Sequence, residues 1–319
     1  MDITYLLWLQ DFRNETHDIL TPFLNGISLF VFTWLLFVPV FVYWCINKRK
    51  GIFLLLSLCL GWFMNGFMKI TVCAYRPWIR DARIVPSSRA FEMSGGYSFP
   101  SGHTMWSSPI YAGVAVLCRK SAVWVSWLCV ALILLTAFSR NYLGVHTPQD
   151  VIAGTAFGLF YVFAAAKLIK YIVEHPEREK FFLVAGLILA TFLIVYATKK
   201  SYPMDYIDGK LIVDPVDMMK GTFHAAGMLV GFVIGRCLEK KFINFQSPGF
   251  TFKGVLLSLI GFAPYYVMIF GFTGRTDFFF AFMTGTFGPN WGHFVRGFVM
   301  TLYIVAIWPA VIKIFSRRN

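Results

Sequence analysis

Three short polar segments lie between apolar stretches of this 319-residue chain. They span residues 69–77, 96–103 and 139–150. Between them they hold three cations, Lys69, Arg76 and Arg140, and two histidines, His103 and His146. Cations and backbone amides can neutralise a phosphoryl group during its transfer without a metal ion. Because no cluster of His, Cys, Asp and Glu has metal-ligand spacing, the sequence predicts phosphate chemistry without a metal or another cofactor.

The second segment predicts the start of a helix that binds an anion. It reads Gly-Tyr-Ser-Phe-Pro-Ser-Gly-His and ends at His103. Ser101 can cap the helix, and Gly102 lets the backbone approach a ligand closely. The unpaired amides of the first turn and the positive end of the helix dipole favour a bound anion. A helix cap alone explains Ser101 but does not explain His103.

The third segment predicts a second helix start that also carries chemistry. Thr147 suits the N-cap, Pro148 the first helical position and Asp150 the third, which together form a capping arrangement. Asp150 lies one helical turn from His146. A carboxylate there can hold the imidazole in one tautomer and leave the other ring nitrogen able to attack phosphorus.

Long apolar stretches surround these segments and must position them. Hydrophobic residues make up 57% of the chain and charged residues 14%, and a helix needs about 20 apolar residues to cross a bilayer. We predict an all-α, polytopic transmembrane helical bundle of about nine spans, of which the third and fourth are short. The predicted spans are residues 19–46, 52–72, 104–117, 123–138, 151–172, 181–197, 218–238, 255–272 and 294–314.

The distribution of charge between the spans predicts an orientation. Nine spans place 16 of the 29 basic residues, but only four of the 16 acidic ones, on a single side, and basic residues favour the cytoplasm. We therefore predict an external amino terminus, a cytoplasmic carboxy terminus, and all three polar segments on the extracellular, periplasmic or lumenal face. The net charge of +13 is mostly this topology signal. Without a basic run interleaved with aromatic residues, nucleic acid is excluded as a partner.

The three segments resemble, in order and at their defining positions, the signature motifs of the type 2 phosphatidic acid phosphatase superfamily, which includes acid phosphatases and haloperoxidases. The resemblance covers roughly residues 50–175. It implies a six-helix membrane core, here residues 19–197. The composition of residues 1–18 predicts an interfacial segment, and the apolar stretches of residues 198–319 predict three additional transmembrane helices of unknown role.

The resemblance also implies a role for each residue. His146 attacks phosphorus to form a phosphohistidine, Asp150 orients it, and His103 protonates the leaving oxygen. The residues implied to bind the phosphate are Lys69, Arg76, Ser101, Gly102 and Arg140.

The implied activity is hydrolysis of a lipid phosphate monoester or diphosphate, with the phosphorylated lipid and membrane lipids as partners and no obligatory protein partner. The same site also fits a sugar phosphate hydrolase of the glucose-6-phosphatase kind, or a lipid phosphotransferase. A non-catalytic binder or transporter on the same fold is less favoured, because His103, His146 and Asp150 are all present.

Overall fold

A computed structural model describes residues 2–270 and 278–316 of the chain, and its many helices confirm the predicted all-α class. The α-helices are α1 (Asp2–Glu15), α2 (Thr21–Thr33), α3 (Phe37–Phe41), α4 (Lys48–Val72), α5 (Pro77–Arg80), α6 (Ser88–Glu92), α7 (Gly102–Cys118), α8 (Val123–Tyr142), α9 (Pro148–Glu174), α10 (Glu179–Lys199), α11 (Pro215–Leu238), α12 (Phe252–Phe270), α13 (Phe278–Phe287), α14 (Pro289–Leu302) and α15 (Trp308–Ser316). Short π or 3₁₀ turns lie at Val42–Ile46, Pro176–Arg178, Glu239–Ile243 and Tyr303–Ile307. Two short strands, β1 (Tyr206–Ile207) and β2 (Lys210–Leu211), pair antiparallel.

Within the described ranges, seven helical segments are long and apolar enough to cross a membrane, which fits an integral, multi-pass membrane protein. They are Lys48–Arg80, Val123–Tyr142, Pro148–Glu174, Pro176–Lys199, Pro215–Ile243, Phe252–Ile269 and Pro289–Ser316.

The predicted count of nine spans is not confirmed. An eighth crossing results if Thr21–Thr33 and Phe37–Ile46, which meet at 41°, form one broken span. The helix at the third predicted span, α7, has only 17 residues, fewer than the roughly 20 of a straight crossing. The last two residues of the eighth predicted span, 271–272, lie outside the described ranges.

Local sequence signals explain where the helices beside the polar segments begin and end. α9 begins at Pro148, whose fixed φ suits the first helical position. α4 ends at Val72, and the next residue, Cys73, takes a left-handed φ of 51° that turns the chain. Gly144, with φ of 74°, makes the corresponding turn after α8. Each polar segment therefore contains at least one helix terminus.

The chain forms two compact units, each assembled from segments that are distant in sequence. The first combines residues 2–36, 64–164 and 201–218, and the second combines residues 37–63, 165–200 and the described residues from 219 onward. In the first unit α7 packs along α8, and α2 contacts both. All three polar segments belong to this first unit.

Within the first unit, α9 approaches the start of α7 through two glycines one turn apart. A Cβ on Gly154 would lie 2.2 Å from Thr104 Oγ1 and 2.9 Å from the backbone oxygen of Ser101. A Cβ on Gly158 would lie 2.8 Å from the Cβ of Ser108. Small residues at this spacing allow close helix contact in membrane proteins. The contact holds the first turns of α7 and α9 together.

In the second unit, three glycines of α11 make a similar contact with α14 and with the π turn that follows it. A Cβ on Gly227 would lie 2.0 Å from the backbone oxygen of Phe294, and one on Gly231 would lie 2.5 Å from that of Phe298. Gly235, one turn further, would meet Val305 at 2.9 Å. Backbone atoms are the obstacle at the first two positions, so larger residues there would separate the helices.

The α7–α9 contact predicts a stability difference between two glycine variants. Gly154→Ala forces a methyl group against backbone of the first turn of α7, and overpacking of this kind costs about 1–3 kcal/mol. Gly26→Ala in α2 is the matched control, because a Cβ there meets nothing within 4 Å. We expect the apparent melting temperature in detergent to fall for Gly154→Ala and not for Gly26→Ala. Equal melting temperatures would contradict the close contact.

Candidate active site

Backbone hydrogen bonds join the three polar segments. The amide of Ser98 in the second segment donates to the carbonyl of Ala74 in the first at 2.7 Å. The amide of Ser101 donates to the carbonyl of Asp150 in the third at 3.0 Å. The ends of α4 and α8 and the beginnings of α7 and α9 therefore surround one buried site, and all eight predicted site residues lie in the unit that contains it.

His146 lies in the turn between α8 and α9 and is only 2% exposed. Its Nδ1 is 3.3 Å from Ser98 Oγ and 3.4 Å from Asp150 Oδ2. The Ser98 hydroxyl donates to the same carboxylate oxygen at 2.6 Å. The side-chain amide of Asn141 donates to the His146 carbonyl at 2.9 Å. Both the ring and the backbone of His146 are thus held by hydrogen bonds.

The other ring nitrogen of His146 faces a cation. Arg76 Nη1 lies 3.0 Å from His146 Nε2, and because a guanidinium can only donate, Nε2 must be the acceptor. Burial lowers the pKa of His146 well below its ordinary value, and the charge of Arg76 acts in the same direction against the opposing effect of Asp150. The ring is therefore neutral, with its proton on Nδ1 and a lone pair on Nε2.

Asp150 serves the helix and the histidine together. The amide of Thr147 donates to Asp150 Oδ2 at 2.8 Å, and the amide of Asp150 donates to Thr147 Oγ1 at 3.4 Å. This reciprocal pair confirms the predicted capping arrangement of α9. A carboxylate that accepts from Thr147, Ser98 and His146 has a fixed position, so the imidazole is oriented as well.

Arg76 is 7% exposed and donates mainly to backbone. Its Nε donates to the carbonyl of Gly96 at 3.2 Å and its Nη2 to that of Gly95 at 2.9 Å. Its Nη1, beside His146, also donates to the carbonyl of Val145 at 2.9 Å. Carbonyls of the second and third segments thus hold the planar fork of this residue at the ring of His146.

The two other cations are anchored by fewer groups. Lys69 donates to the carbonyl of Tyr97 at 2.5 Å. Arg140 is 1% exposed and donates to the hydroxyls of Ser28 and Ser94, the latter at 3.3 Å. Its Nε has no hydrogen-bond partner. Both residues keep donors that a bound phosphate can use.

Two further predicted residues contribute buried polar atoms without a partner, His103 Nε2 and Ser101 Oγ. The ring of His103 packs edge-on against Phe32 at a centroid distance of 4.6 Å. Ser101 occupies the N-cap position of α7, but its hydroxyl makes no capping bond, so the predicted side-chain cap is wrong. Buried polar atoms usually find partners. Those of this site are left to satisfy a ligand.

Gly102 is the first residue of α7 and is buried. Its amide belongs to the first helical turn, which has no carbonyl partner within the helix. The amide of the preceding residue, Ser101, donates to the carbonyl of Asp150 and so joins this turn to the third segment. The cations, free amides and two histidines therefore converge on one place suited to a phosphate.

Four residues that hold the site were not identified from the sequence. They are Ser28, Ser94, Ser98 and Asn141. Ser98 lies inside the second segment, five residues before His103. That position was the only feature of the sequence that could have pointed to a role for Ser98 in the site. Within the described ranges, no group of three His, Cys, Asp or Glu side chains is placed to hold a metal ion.

Comparison with known proteins places the same residues in a known family. The model of the PAP2 superfamily, the type 2 phosphatidic acid phosphatases, matches residues 50–174. An undecaprenyl-diphosphatase of Sulfolobus acidocaldarius is 26% identical over 151 residues, which cover 46% of this chain and 70% of the relative. A lipid A 4'-phosphatase of Porphyromonas gingivalis is 28% identical over 151 residues, 43% of this chain and 63% of the relative.

A more distant relative is the glucose-6-phosphatase catalytic subunit 1 of Felis catus, 24% identical over 197 residues that cover 54% of each chain. No solved structure matches the chain significantly. The matched region contains every residue of the site that the three motifs predicted. Residues 50–174 of this chain therefore match the PAP2 superfamily, the family that the motifs indicated.

Proposed function

We propose that this protein is a membrane phosphatase that hydrolyses a lipid phosphate monoester or diphosphate through a phosphohistidine, without a metal ion. The observation that carries the proposal is the hydrogen-bonded array Arg76–His146–Ser98–Asp150. It presents a neutral imidazole with a lone pair on Nε2 beside cations. This is the arrangement of an activated nitrogen nucleophile.

In the first step, Nε2 of His146 forms a bond to phosphorus while the bond from phosphorus to the leaving oxygen breaks. Arg76 transfers its Nη1 hydrogen bond from Nε2 to a phosphoryl oxygen as the substrate enters. Asp150, through its contact and through Ser98, stabilises the positive charge that develops on the ring. His103, protonated in the presence of the anionic substrate, gives its proton to the leaving oxygen.

In the second step, water attacks phosphorus and the P–N bond breaks. His103, now neutral, accepts the proton of the water, which restores its starting state, and His146 recovers its lone pair. Throughout, the charge on the phosphoryl oxygens is balanced by Lys69, Arg76 and Arg140, and by the amides and hydroxyl at Ser101 and Gly102. Fixed donors of this kind stabilise a transition state without reorganisation.

The substrate class follows from the membrane setting and from the relatives. Two relatives are named for lipid phosphates, an undecaprenyl diphosphate and lipid A. A substrate whose tail remains in lipid can present its phosphate to a site formed at helix ends. The predicted regions 1–18, 19–197 and 198–319 remain part of this proposal, with the third still lacking a role.

Two other activities use the same site. The relative from Felis catus is named as a glucose-6-phosphatase, which keeps a soluble sugar phosphate as the alternative substrate. A phosphotransferase would pass the phosphoryl group from His146 to a lipid hydroxyl instead of water. Phosphate release from phosphatidate, a polyprenyl diphosphate and glucose 6-phosphate, each with and without an added lipid alcohol, separates the three activities.

Replacement of the nucleophile gives the first test. His146→Ala removes the attacking nitrogen, so we expect phosphate release from the preferred substrate to fall by about 10⁴-fold or more, as for loss of other catalytic nucleophiles. Wild type quenched in base after mixing with ³²P-labelled substrate should carry acid-labile label, and His146→Ala should not. His175→Ala, which changes an exposed histidine, is the control and should behave as wild type. If folded His146→Ala released phosphate at the wild-type rate, His146 would not be the nucleophile.

Ser98 gives a second test, of orientation rather than attack. Ser98→Ala removes a hydrogen bond to a carboxylate, worth about 1.5–3 kcal/mol, so kcat should fall roughly 10- to 100-fold with a smaller change in KM. Ser107→Ala is the matched control, because Ser107 is equally buried in the same unit and its hydroxyl has no partner. The pH profile of kcat should shift for Ser98→Ala alone. Identical profiles for the two variants would show that Ser98 is only structural.

We also propose that the site opens on the non-cytoplasmic face, with the amino terminus outside and the carboxy terminus in the cytoplasm. The support is the excess of basic residues that the nine predicted spans place on one side, because basic residues favour the cytoplasm. A cysteine replacing exposed Ser121, in the turn between α7 and α8, should then be labelled by an impermeant maleimide only after the membrane is opened. A cysteine replacing exposed Ser201 should be labelled in intact cells. The reverse pattern would invert the orientation.

A further inference from the structure

A cavity lies wholly within the second unit and has no part in the proposed reaction. Its volume is about 900 Å³, and it opens between the beginning of α4, the end of α9, the first half of α10 and the end of α11. Five cations line the end of the cavity near the start of α4 and the end of α11: Lys48, Arg49, Lys50, Arg236 and Lys240. The remaining walls are mainly apolar and include Leu56, Leu60, Ile172, Leu189 and Phe232.

The spacing of these residues sets the depth of the cavity. Lys48 and Leu60 are twelve residues apart on α4, about 18 Å at 1.5 Å per residue. Glu179 and Leu189 are ten residues apart on α10, about 15 Å. These lengths are close to half of the roughly 30 Å hydrocarbon thickness of a bilayer. The cavity therefore has the depth of one lipid leaflet, with charge at its end and apolar walls along its length.

Two buried carboxylates hold three of the cations in place. Glu239, with no exposed surface, accepts from Lys48 at 2.5 Å and from Arg236 at 2.7 Å. Glu179 accepts from Arg236 at 2.8 Å and from Lys240 at 2.6 Å. Breaking such buried ion pairs is strongly destabilising. This ionic cluster gives the charged end of the cavity a fixed shape.

The two other cations at this end are not neutralised. Arg49 and Lys50 are exposed, and neither is paired with a carboxylate among the described residues. Five cations line the cavity against the two carboxylates of the ionic cluster. The excess positive charge favours a bound anionic group, and the apolar walls favour contact with a hydrocarbon chain.

We propose that this cavity binds one anionic phospholipid of the surrounding membrane. Arg49 and Lys50 contact its phosphate-bearing headgroup, and one acyl chain lies along the walls formed by α4, α10 and α11. A soluble anion would leave those walls without a partner. A zwitterionic lipid has no net negative charge to balance the excess positive charge of the cavity. Basic pockets at helix ends are suited to anionic headgroups, whether or not the protein is a phosphatase.

Lipid binding by the purified full-length protein tests the proposal. Native mass spectrometry with phosphatidylglycerol and with phosphatidylcholine measures the retained lipids and their apparent Kd. We expect Arg49→Gln/Lys50→Gln to weaken phosphatidylglycerol binding by about 30-fold, as loss of two cations near an anionic group predicts. Because both changes lie in the second unit, this loss distinguishes the cavity from the candidate active site.

A matched control exists in the first unit. Arg119→Gln/Lys120→Gln removes the same two residue types, both exposed, from the turn after α7, on the side that is also predicted to be cytoplasmic. This variant should bind phosphatidylglycerol within about twofold of wild type. Equal weakening by the two double variants would mean that only general surface charge attracts the lipid, and would overturn the proposal.

A third variant tests the hydrocarbon part without changing charge. Ala185 is exposed and lines the cavity, so Ala185→Trp fills space without entering a packed core. We expect it to weaken binding of phosphatidylglycerol at least tenfold. Unchanged binding would contradict the placement of the acyl chain. Inorganic phosphate should not compete at millimolar concentration, and competition would identify a simple anion site. Phosphatidylcholine bound as tightly as phosphatidylglycerol would exclude a headgroup role for Arg49 and Lys50.

Discussion

The candidate active site depends on the hydrogen bond from the backbone amide of Ser101 to the carbonyl of Asp150. It joins the N-terminal turns of α7 and α9, and the absence of a side chain at Gly154 allows these turns to approach. The first turns of the two helices therefore lie side by side. His103 belongs to the first turn of α7 and Asp150 to the first turn of α9. Without this contact, the two histidines would belong to separate helix ends.

The site also has to hold buried cations in a protein that lies in a membrane. Ionisable groups at membrane depth are costly unless they have partners. Arg76 meets this requirement with three backbone carbonyls and Arg140 with two hydroxyls. Neutral partners anchor these side chains without cancelling their charge. The ionic cluster at Glu179 and Glu239 follows the opposite scheme, since carboxylates neutralise its cations and fix them in position.

Sequence periodicity predicted those parts of the site that are local. His146 and Asp150 lie four residues apart at a helix start, so the helical repeat already places them together, and the Thr147–Asp150 cap followed from the same spacing. Ser98 could not be assigned in this way, because its partner Asp150 is 52 residues away. The hydroxyl of Ser101 was assigned to capping because N-cap position does not reveal whether a hydroxyl serves the helix or a ligand.

The number of spans was less predictable than their apolar character. Hydropathy continues through residues 19–46, yet the backbone bends by 41° between Thr33 and Phe37. α7 is short because Pro100 and Ser101 delay its start until Gly102. The bend and the short helix both arise from backbone geometry. Hydropathy averaged over residues contains no information about backbone geometry.

Charge balance connects the anchoring scheme with the proposed substrate. Before the substrate enters, Lys69, Arg76 and Arg140 contribute three positive charges and Asp150 contributes one negative charge, while the neutral His146 and His103 add none. The excess of about two positive charges matches the charge of −1.5 to −2 that a phosphate monoester carries near pH 7. Nε2 of His103, Oγ of Ser101 and Nε of Arg140 have no hydrogen-bond partner. The oxygens of one bound group could accept hydrogen bonds from all three. Charge and hydrogen-bonding capacity therefore favour one occupant, a phosphate. The neutral anchors of the arginines are what preserve that charge until the phosphate binds.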